Sequence, residues 1–340
     1  MPQAVIMAGG QGERFWPLTH KTFPKYRLRF RGDKSLLKGT VSRLLSVYKK
    51  EEIHVVTTTE HAAMIRKELH GFSVKNLILE PRRRNTAAAI FLTCAKLAQK
   101  FRPSEVISFF PADHLIENTA LFKQTIQAAI RLAREKNWLV TVGIHPTYPA
   151  TGYGYIRAGK KIPGKSPAYR VDRFVEKPNR RTAAKYIQKK KYFWNGGIFT
   201  WQASTLIDSM RRANPAYARR FHFKDIAETY RHLPNLSIDV ALLEKADNIL
   251  VVPARMDWCD LGSWDMFFEK SAKDADRNCL RGKNLVCRDS QGNLVVSART
   301  EKPLVVLGGA NLLVVQTERG TLVCPRGRSE EAALLANTLI

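Results

Sequence analysis

The chain has 340 residues, 44% of them hydrophobic and 9% aromatic, which excludes a disordered chain and allows one large core with a smaller appendage. Lys and Arg outnumber Asp and Glu by 56 to 30, a formal net charge of +26. The excess is local, because residues 21–50 carry ten Lys or Arg against one acid and residues 157–191 carry thirteen against two. Such stretches suit an enzyme of polyanionic substrates, a nucleic-acid surface, or simply a solvated face.

Met1 runs almost directly into the apolar segment Ala4-Val5-Ile6-Met7, with no charged leader, long apolar region or cleavage site, so nothing directs export. The nearest approach to a membrane span, Leu304 to Val315, is interrupted by two glycines and an asparagine and falls short of roughly 20 residues. A soluble cytoplasmic protein is expected, without a membrane partner. The cysteines Cys94, Cys259, Cys279, Cys287 and Cys324 are odd in number and lack a Cys-x-x-Cys pair, as buried free thiols would be.

In chain order, β-rich runs at Ala4–Met7, Ile53–Thr57, Leu77–Glu80, Val106–Phe110 and Leu139–Val142 predict strands. Helical spacing of Ala88, Phe91, Ala95, Ala98 and Phe101, and again of Phe122, Ile126, Ala129, Ile130 and Ala133 within Leu121–Lys136, predicts helices between them. This alternation requires an α/β domain with a Rossmann-like, mixed but mostly parallel sheet flanked by helices, assigned to residues 1–270. From residue 275 to 340 the texture changes to brief Val/Leu runs at Leu285, Leu294, Leu304, Leu312 and Leu322, about nine residues apart. With turn signals between them they predict a small all-β unit, either a coil-by-coil stack or a meander.

The first strand delivers Gly9, Gly10 and Gly12, which permit positive φ and close approach of backbone N–H groups to a phosphate, with a helix N-terminus to add its dipole. Alone, this pattern is a turn as often as an anion cradle, and it fits neither the P-loop nor the dinucleotide spacing. Its company is more telling: Arg14 follows at once, and Lys25 stands eleven residues later behind Pro24, giving two cations that suit a triphosphate.

Gly9-Gly10-x-Gly12-x-Arg14-x-Trp16-Pro17 with Pro24-Lys25 resembles the signature of the nucleotide-sugar pyrophosphorylases. Glu80-Pro81-x-x-x-Asn85-Thr86-Ala87, Pro111-Ala112-Asp113-His114, Gly152-Tyr153-Gly154-Tyr155-Ile156, Phe174-x-Glu176-Lys177-Pro178 and Trp194-Asn195-x-Gly197-Ile198-Phe199 follow in order. With Trp258-x-Asp260-x-Gly262-Ser263-Trp264 they resemble the motifs of the mannose-1-phosphate guanylyltransferases, over nearly the whole chain. The resemblance implies a GT-A-like nucleotidyltransferase fold with a left-handed β-helix-like tail. It also implies one activity, because the sequence stops where bifunctional relatives continue into an isomerase domain.

The implied reaction is attack of a sugar 1-phosphate oxygen on the α-phosphorus of a nucleoside triphosphate, with GTP and mannose 1-phosphate as substrates and pyrophosphate as leaving group. Arg14 and Lys25 would hold the triphosphate and Lys177 the sugar phosphate. Asp113, just past a predicted strand's end, and Asp260 fit the one or two carboxylates Mg²⁺ usually takes. The resemblance assigns Ala8, Gly9, Gly10, Gly12, Glu80, Asn85, Thr86, Ala87, Pro111 and Asp113 to the nucleotide. It assigns Gly154, Glu176, Lys177 and Asn195 to the sugar phosphate, Asn195 reading otherwise as a turn residue. Asn85 and Thr86 would both read the purine and cap the helix behind them. His114 reads as a structural hydrogen-bonding residue, since a phosphate monoester needs no base. Arg82-Arg83-Arg84 would flank phosphates or sit in a solvated loop, and Tyr153, Tyr155 and Trp194 would pack on sugar or on core.

The chain departs from the family at Tyr26, where glutamine is usual, followed by Arg27, Arg29 and Arg31, and at Ala88 and Gly196. Two further readings stand beside the first. The same chemistry would serve another hexose or heptose 1-phosphate or another nucleotide, and an inactive scaffold would bind nucleic acid or another polyanion through its basic stretches, against which the retained Arg14, Lys25, Asp113, Lys177 and Asp260 argue. A homodimer is compatible with all of these.

Overall fold

The computed structural model describes every residue except 11, 31, 136, 165–166, 222–224, 337 and 339–340. Gln11 of the glycine loop, Arg31 of the basic run, Lys136 at the second predicted helix's end and Lys165 of the second basic stretch therefore lie outside the described residues. Packing divides the chain into two units, one of residues 1–9 and 38–258, the other of residues 10–37 and 259–340. The glycine loop and the segment around Lys25 thus group with the C-terminal tail, although the expected boundary at residues 270–275 follows chain order alone.

The first unit is built on a sheet of nine strands: β1 Gln3–Met7, β2 Ile53–Thr58, β3 Leu77–Glu80, β4 Val106–Pro111, β5 Leu139–Ile144, β6 Tyr155–Ile162, β7 Ala168–Val175, β8 Tyr192–Gln202 and β9 Ile249–Ala254. Their order is β3-β2-β1-β4-β8-β5-β9-β7-β6, with β8 also meeting β6. β1 lies parallel between β2 and β4, Ala4 opposite Ile53 on one side and Ser108 on the other. These strands are buried on both faces, which is why they read as unbroken apolar runs.

The sheet is mixed rather than mostly parallel, since β4–β8, β8–β5, β9–β7 and β7–β6 run antiparallel. The antiparallel strands β6 and β7 have exposed faces rich in Lys and Arg, and that polarity hid them in the sequence. The predicted helices form as Asn85–Lys100 and Thr119–Glu135. The first packs into a core that includes Ile107, Phe109, Trp201, Leu206 and Met210. Among the described residues no helix is long and apolar enough to cross a membrane.

In the second unit, Phe15, Trp264 and Phe267 form an edge-to-face aromatic cluster, with Phe15–Trp264 centroids 4.9 Å apart and Phe30 at 4.9 Å from Phe267. The tail strands are β10 Cys279–Arg281, β11 Leu285–Arg288, β12 Leu294–Ser297, β13 Leu304–Leu307, β14 Leu312–Thr317 and β15 Gly320–Pro325. β10, β12 and β14 are parallel neighbours, as are β11 and β13, so alternate apolar runs fall on the same sheet. This is a coil-by-coil stack and not a meander. β15 folds back antiparallel on β14. The tail is not purely β, because Ser329–Ala336 is helical. Its Ala and Leu residues favour helix, and Asp265 fixes its start by accepting from Ser329 Oγ at 2.8 Å and Gly327 N at 2.7 Å. All five cysteines are free, with Cys287 and Cys324 only half-buried.

A buried amide ladder joins the coils. Asn278 Oδ1 accepts from the main chain of Asn293 at 2.9 Å, Asn293 Nδ2 donates to Gly309 O at 2.8 Å, and Asn293 Oδ1 accepts from Leu312 N at 2.8 Å. Asn293 is fully buried, so Asn293→Leu takes the acceptor from Leu312 N and one donor from Gly309 O and should destabilise the tail by roughly 1–3 kcal/mol. Faster amide exchange across Leu294–Ser297 and Leu312–Thr317 is the expected readout, and unchanged exchange would remove the ladder from the tail's stability.

Candidate active site

β1 ends at Ala8, whose N–H donates to Val56 O at 2.9 Å and whose carbonyl accepts from Thr57 Oγ1 at 2.7 Å. Among the described residues, chain neighbours aside, no heavy atom lies within 4 Å of where a Cβ on Gly9 or Gly10 would stand, which leaves the main chain open there, as phosphate approach requires. Only Gly12 of the three loop glycines has positive φ, 75°. A Cβ there would also overlap Lys25 Cβ, so loop and lysine backbone touch. The element after Gly12 is a three-residue 3₁₀ turn, Glu13–Phe15, and not the α-helix whose dipole was expected.

Lys25 is 9% exposed, and its ammonium donates to the Asp260 main-chain carbonyl at 2.6 Å. Thr19 Oγ1 donates to Gly12 O at 2.6 Å, locking the loop from behind. The Asp260 carboxylate is half-buried and accepts from Gly262 N at 3.0 Å through a turn with Leu261 at φ 46°. Arg14 is half-exposed, 3.5 Å from Glu330. Tyr26, the departure from the family's glutamine, is 2% exposed and belongs to the core.

Of the other residues expected at the nucleotide, Glu80 ends β3 with Asn85–Ala87 opening the helix after it, and Pro111 ends β4. Glu80 is 6% exposed and accepts from Tyr230 Oη at 3.0 Å. Burial pushes its carboxyl up to about 7, against the opposing hydrogen bond and the Arg83 charge. Thr86 does not cap its helix, whose N-cap is Arg84 without a side-chain bond, whereas Asn85 Oδ1 accepts from the Thr86 N–H at 2.8 Å in the first turn. Asn85 adopts φ 65°, while Thr86 Oγ1 accepts from Ile238 N at 2.9 Å and Ala87 N donates to Leu236 O at 3.2 Å. These groups hold residues 236–238, which competes with capping. Arg84 is tied to the main chain, donating to the carbonyls of Tyr230 at 2.7 Å and Arg231 at 2.9 Å.

Pro111 closes β4 opposite Met7, and Asp113 follows it, half-buried. His114 Nδ1 accepts from Trp258 Nε1 at 3.0 Å, and its carbonyl accepts from Arg43 at 3.0 Å. Tyr153 packs against Trp194 and Trp258, with centroids 5.1 and 5.2 Å apart, so these rings form a wall on one another.

The four residues expected at the sugar phosphate do converge. Asn195 N donates to Gly154 O at 2.8 Å. The Gly154 Cα faces Glu176, whose Oε2 would stand 2.7 Å from any Cβ placed there. Lys177, at φ 44°, pairs with Glu176 at 2.9 Å. Sequence reasoning missed a fifth member, Asp239, whose Oδ1 accepts from Asn195 Nδ2 at 2.8 Å. Burial, followed by the Glu176 charge, raises its carboxyl to about 7. Asp239 begins a π-helical turn, Asp239–Leu243, a form frequent at functional sites. No motif spacing marked it, and the only signal was an acid amid the apolar residues Ile238, Val240 and Ala241.

The α/β sheet with a glycine loop after its first parallel strand is that of a nucleotidyl-transferring enzyme. The chain belongs to the nucleotidyl transferase family, whose model matches residues 3–277. Among its relatives are mannose-1-phosphate guanylyltransferases of Escherichia coli, 34% identical over 96% of this chain and 71% of that one, and of Sinorhizobium fredii, 34% identical over 98% and 66%. The chain therefore spans about two thirds of their length. It is also similar to a crystal structure described as mannose-1-phosphate geranyltransferase from Thermus thermophilus, with TM-score 0.88, 32% identity and 99% of each chain covered.

The raised Glu80 carboxyl has a thermodynamic consequence. Between about pH 4.5 and 7 the folded chain holds a proton there that the unfolded chain releases, so stability falls as pH rises through that window and levels above it. Glu80→Gln should abolish this contribution, changing the difference in unfolding free energy between the two proteins by up to about 3 kcal/mol across the window. Denaturant titrations at several pH values test it, and a pH-independent difference would reject a raised Glu80.

Proposed function

We propose that the chain transfers GMP from GTP to α-D-mannose 1-phosphate, releasing pyrophosphate and forming GDP-mannose. The observation that carries this reading is the convergence of Gly154, Glu176, Lys177, Asn195 and Asp239 into one cluster, with carboxylates and an amide for sugar hydroxyls and one ammonium for a phosphate. Similarity to the enzymes named above along nearly the whole chain supports the choice of substrates.

A non-bridging oxygen of the sugar phosphate attacks the α-phosphorus, a new P–O bond forms, and the bond to the β-phosphate's bridging oxygen breaks in line. The nucleophile is already anionic, so no side chain needs to remove a proton, and His114, with Nδ1 occupied by Trp258, is a positioning residue. Lys25 and Arg14 neutralise charge on the departing pyrophosphate, and Lys177 does so on the sugar phosphate. Burial of Lys25 strengthens its effect on the phosphates. Glu80, Asn85 and Thr86 face the nucleotide base, as Gly9 and Gly10 do its phosphates.

Mg²⁺ is the expected cofactor. Among the described residues no three His, Cys, Asp or Glu are grouped to hold a metal, which fits an ion that takes one or two carboxylates and completes its shell with phosphates and water. Asp113 and Asp260 are the carboxylates proposed for it, and the ion would supply charge neutralisation on the phosphate oxygens.

Three outcomes follow. Pyrophosphate release over a grid of nucleoside triphosphates and sugar 1-phosphates should give its highest kcat/KM with GTP and mannose 1-phosphate, and a different best pair would replace these substrates within the same chemistry. Lys25→Met should lower kcat by roughly 10²–10³ while leaving the KM for the sugar phosphate within about twofold. Equal losses in both would move Lys25 away from the leaving group. Asp113→Ala and Asp260→Ala should each abolish Mg²⁺-dependent release with the circular dichroism spectrum retained, and turnover in both variants would remove the metal assignment.

A further inference from the structure

A cavity of about 460 Å³ opens on β6, β7 and the chain entering β8, and none of its lining residues belongs to the candidate active site. Its apolar side is made of rings. Phe193 is 6% exposed, with the His145 ring edge-on at 4.8 Å and Tyr169 at 6.4 Å. Its polar side is cationic, with Arg157, Lys160, Lys190 and Lys191. Arg157 pairs with Asp172 at 3.5 Å. Among the described residues Lys160, Lys190 and Lys191 have no carboxylate partner.

The backbone is shaped around this cavity. In the β6–β7 hairpin Arg157 faces Arg173, Ala158 faces Val171 and Lys161 faces Tyr169, so β7 carries one extra residue at Asp172 and β6 one extra residue at Gly159 or Lys160. Two bulges on facing strands re-aim the side chains there, a device common beside binding sites. Gly159 is needed for it, because a Cβ would overlap the Asp172 carboxylate. Lys190 adopts φ 49°, and the Lys191 carbonyl accepts from Ala158 N at 2.8 Å, fixing the paired lysines against β6.

Three ammonium groups held at one cavity repel each other, and a bound anion relieves that repulsion. The ring-bearing side of the cavity suits more than an inorganic ion, since Tyr169 and Phe193 line it and offer apolar surface to a flat heterocycle. Asp172 adds an acceptor suited to ribose hydroxyls. The volume falls within the range of roughly 300–1,000 Å³ common to small-molecule pockets. We propose that this cavity is a second nucleotide site, holding a nucleoside mono- or diphosphate by its phosphates on Lys160, Lys190 and Lys191 and by its base against Phe193 and Tyr169.

Equilibrium dialysis of the full chain against labelled GDP tests it. The doubly substituted Lys190→Asn, Lys191→Ser chain should bind one GDP fewer than the unsubstituted chain, with pyrophosphate release unchanged. Asn accepts the left-handed backbone at position 190, and both sites are exposed, so the fold is kept. If the active site itself takes no GDP, the counts become one and none, so failure of the proposed reaction and failure of this site are told apart. Equal stoichiometry in the two proteins overturns the site. Tyr169→Leu should weaken GDP at this site by roughly tenfold and leave inorganic phosphate binding unchanged. Loss of neither, or of both equally, reduces the cavity to an anion site and overturns the nucleotide. Displacement of GDP by a single-stranded RNA oligomer at physiological salt, with Tyr169→Leu silent, would make it a polyanion surface instead.

Discussion

The contact between Gly12 and Lys25 is the constraint on which the second unit's loop depends. With the Lys25 Cβ where a side chain at residue 12 would begin, the loop backbone is pressed against the Pro24-Lys25 segment, and the lysine stem has one course to follow. That course ends at the Asp260 carbonyl, 235 residues away in sequence. Burying an ammonium group is costly without partners, so the Trp258–Trp264 motif must be held in register with the loop. The aromatic packing of Phe15, Trp264 and Phe267, with Trp264 Nε1 donating to Trp16 O at 3.2 Å, supplies that register within the same unit. Grouping of residues 10–37 with the tail follows from this packing.

In the sheet unit the comparable constraint is an economy of carboxylates. Glu80 and Asp239 are both raised to about 7, each chiefly by burial. Asp239 additionally feels Glu176, and two carboxylates so placed do not ionise independently. Lys177 pairs with the more exposed of the two, Glu176, at 2.9 Å, leaving Asp239 to the Asn195 amide. One cation and one amide thereby give the two acids different partners.

Much of this was legible in sequence for identifiable reasons. β1, β2 and β4 are buried on both faces and β3 on one, so they leave short apolar runs bounded by turns, and the predicted strands fall on them within a residue or two. The convergence of Gly154, Glu176 and Asn195 was carried by motif resemblance alone, since no period links residues on three strand ends. What was hidden has physical causes. β6 and β7 bury only part of their surface, and their exposed Arg and Lys residues obscured alternation. Asp239 stands in a π-helical turn, where neither helical nor strand spacing applies. Asn85 and Thr86 fit a capping pattern, yet Thr86 serves Ile238 N, 152 residues on, a tertiary partner that local propensity cannot foresee.

The two basic stretches had looked alike by composition, and structure separates them. In residues 21–50 three cations are engaged internally, Lys25 by the Asp260 carbonyl, Arg27 by the Thr22 carbonyl and the Phe23 ring, and Arg43 by Thr40 and the His114 carbonyl, while Lys21, Arg29, Lys34, Lys49 and Lys50 are exposed. Burial lowers the Arg43 guanidinium to about 10, still charged at neutral pH, so its fit is secured by hydrogen bonds instead of a counter-ion. In residues 157–191 the long side chains stay exposed on β6, β7 and the helix Arg180–Gln188, where water screens their repulsion. Net charge is therefore two quantities in this chain. One part fixes the segment that carries Lys25, and its removal would be paid in structure. The other part is held at the surface by a hairpin bent to gather it, and its removal would change what the surface attracts.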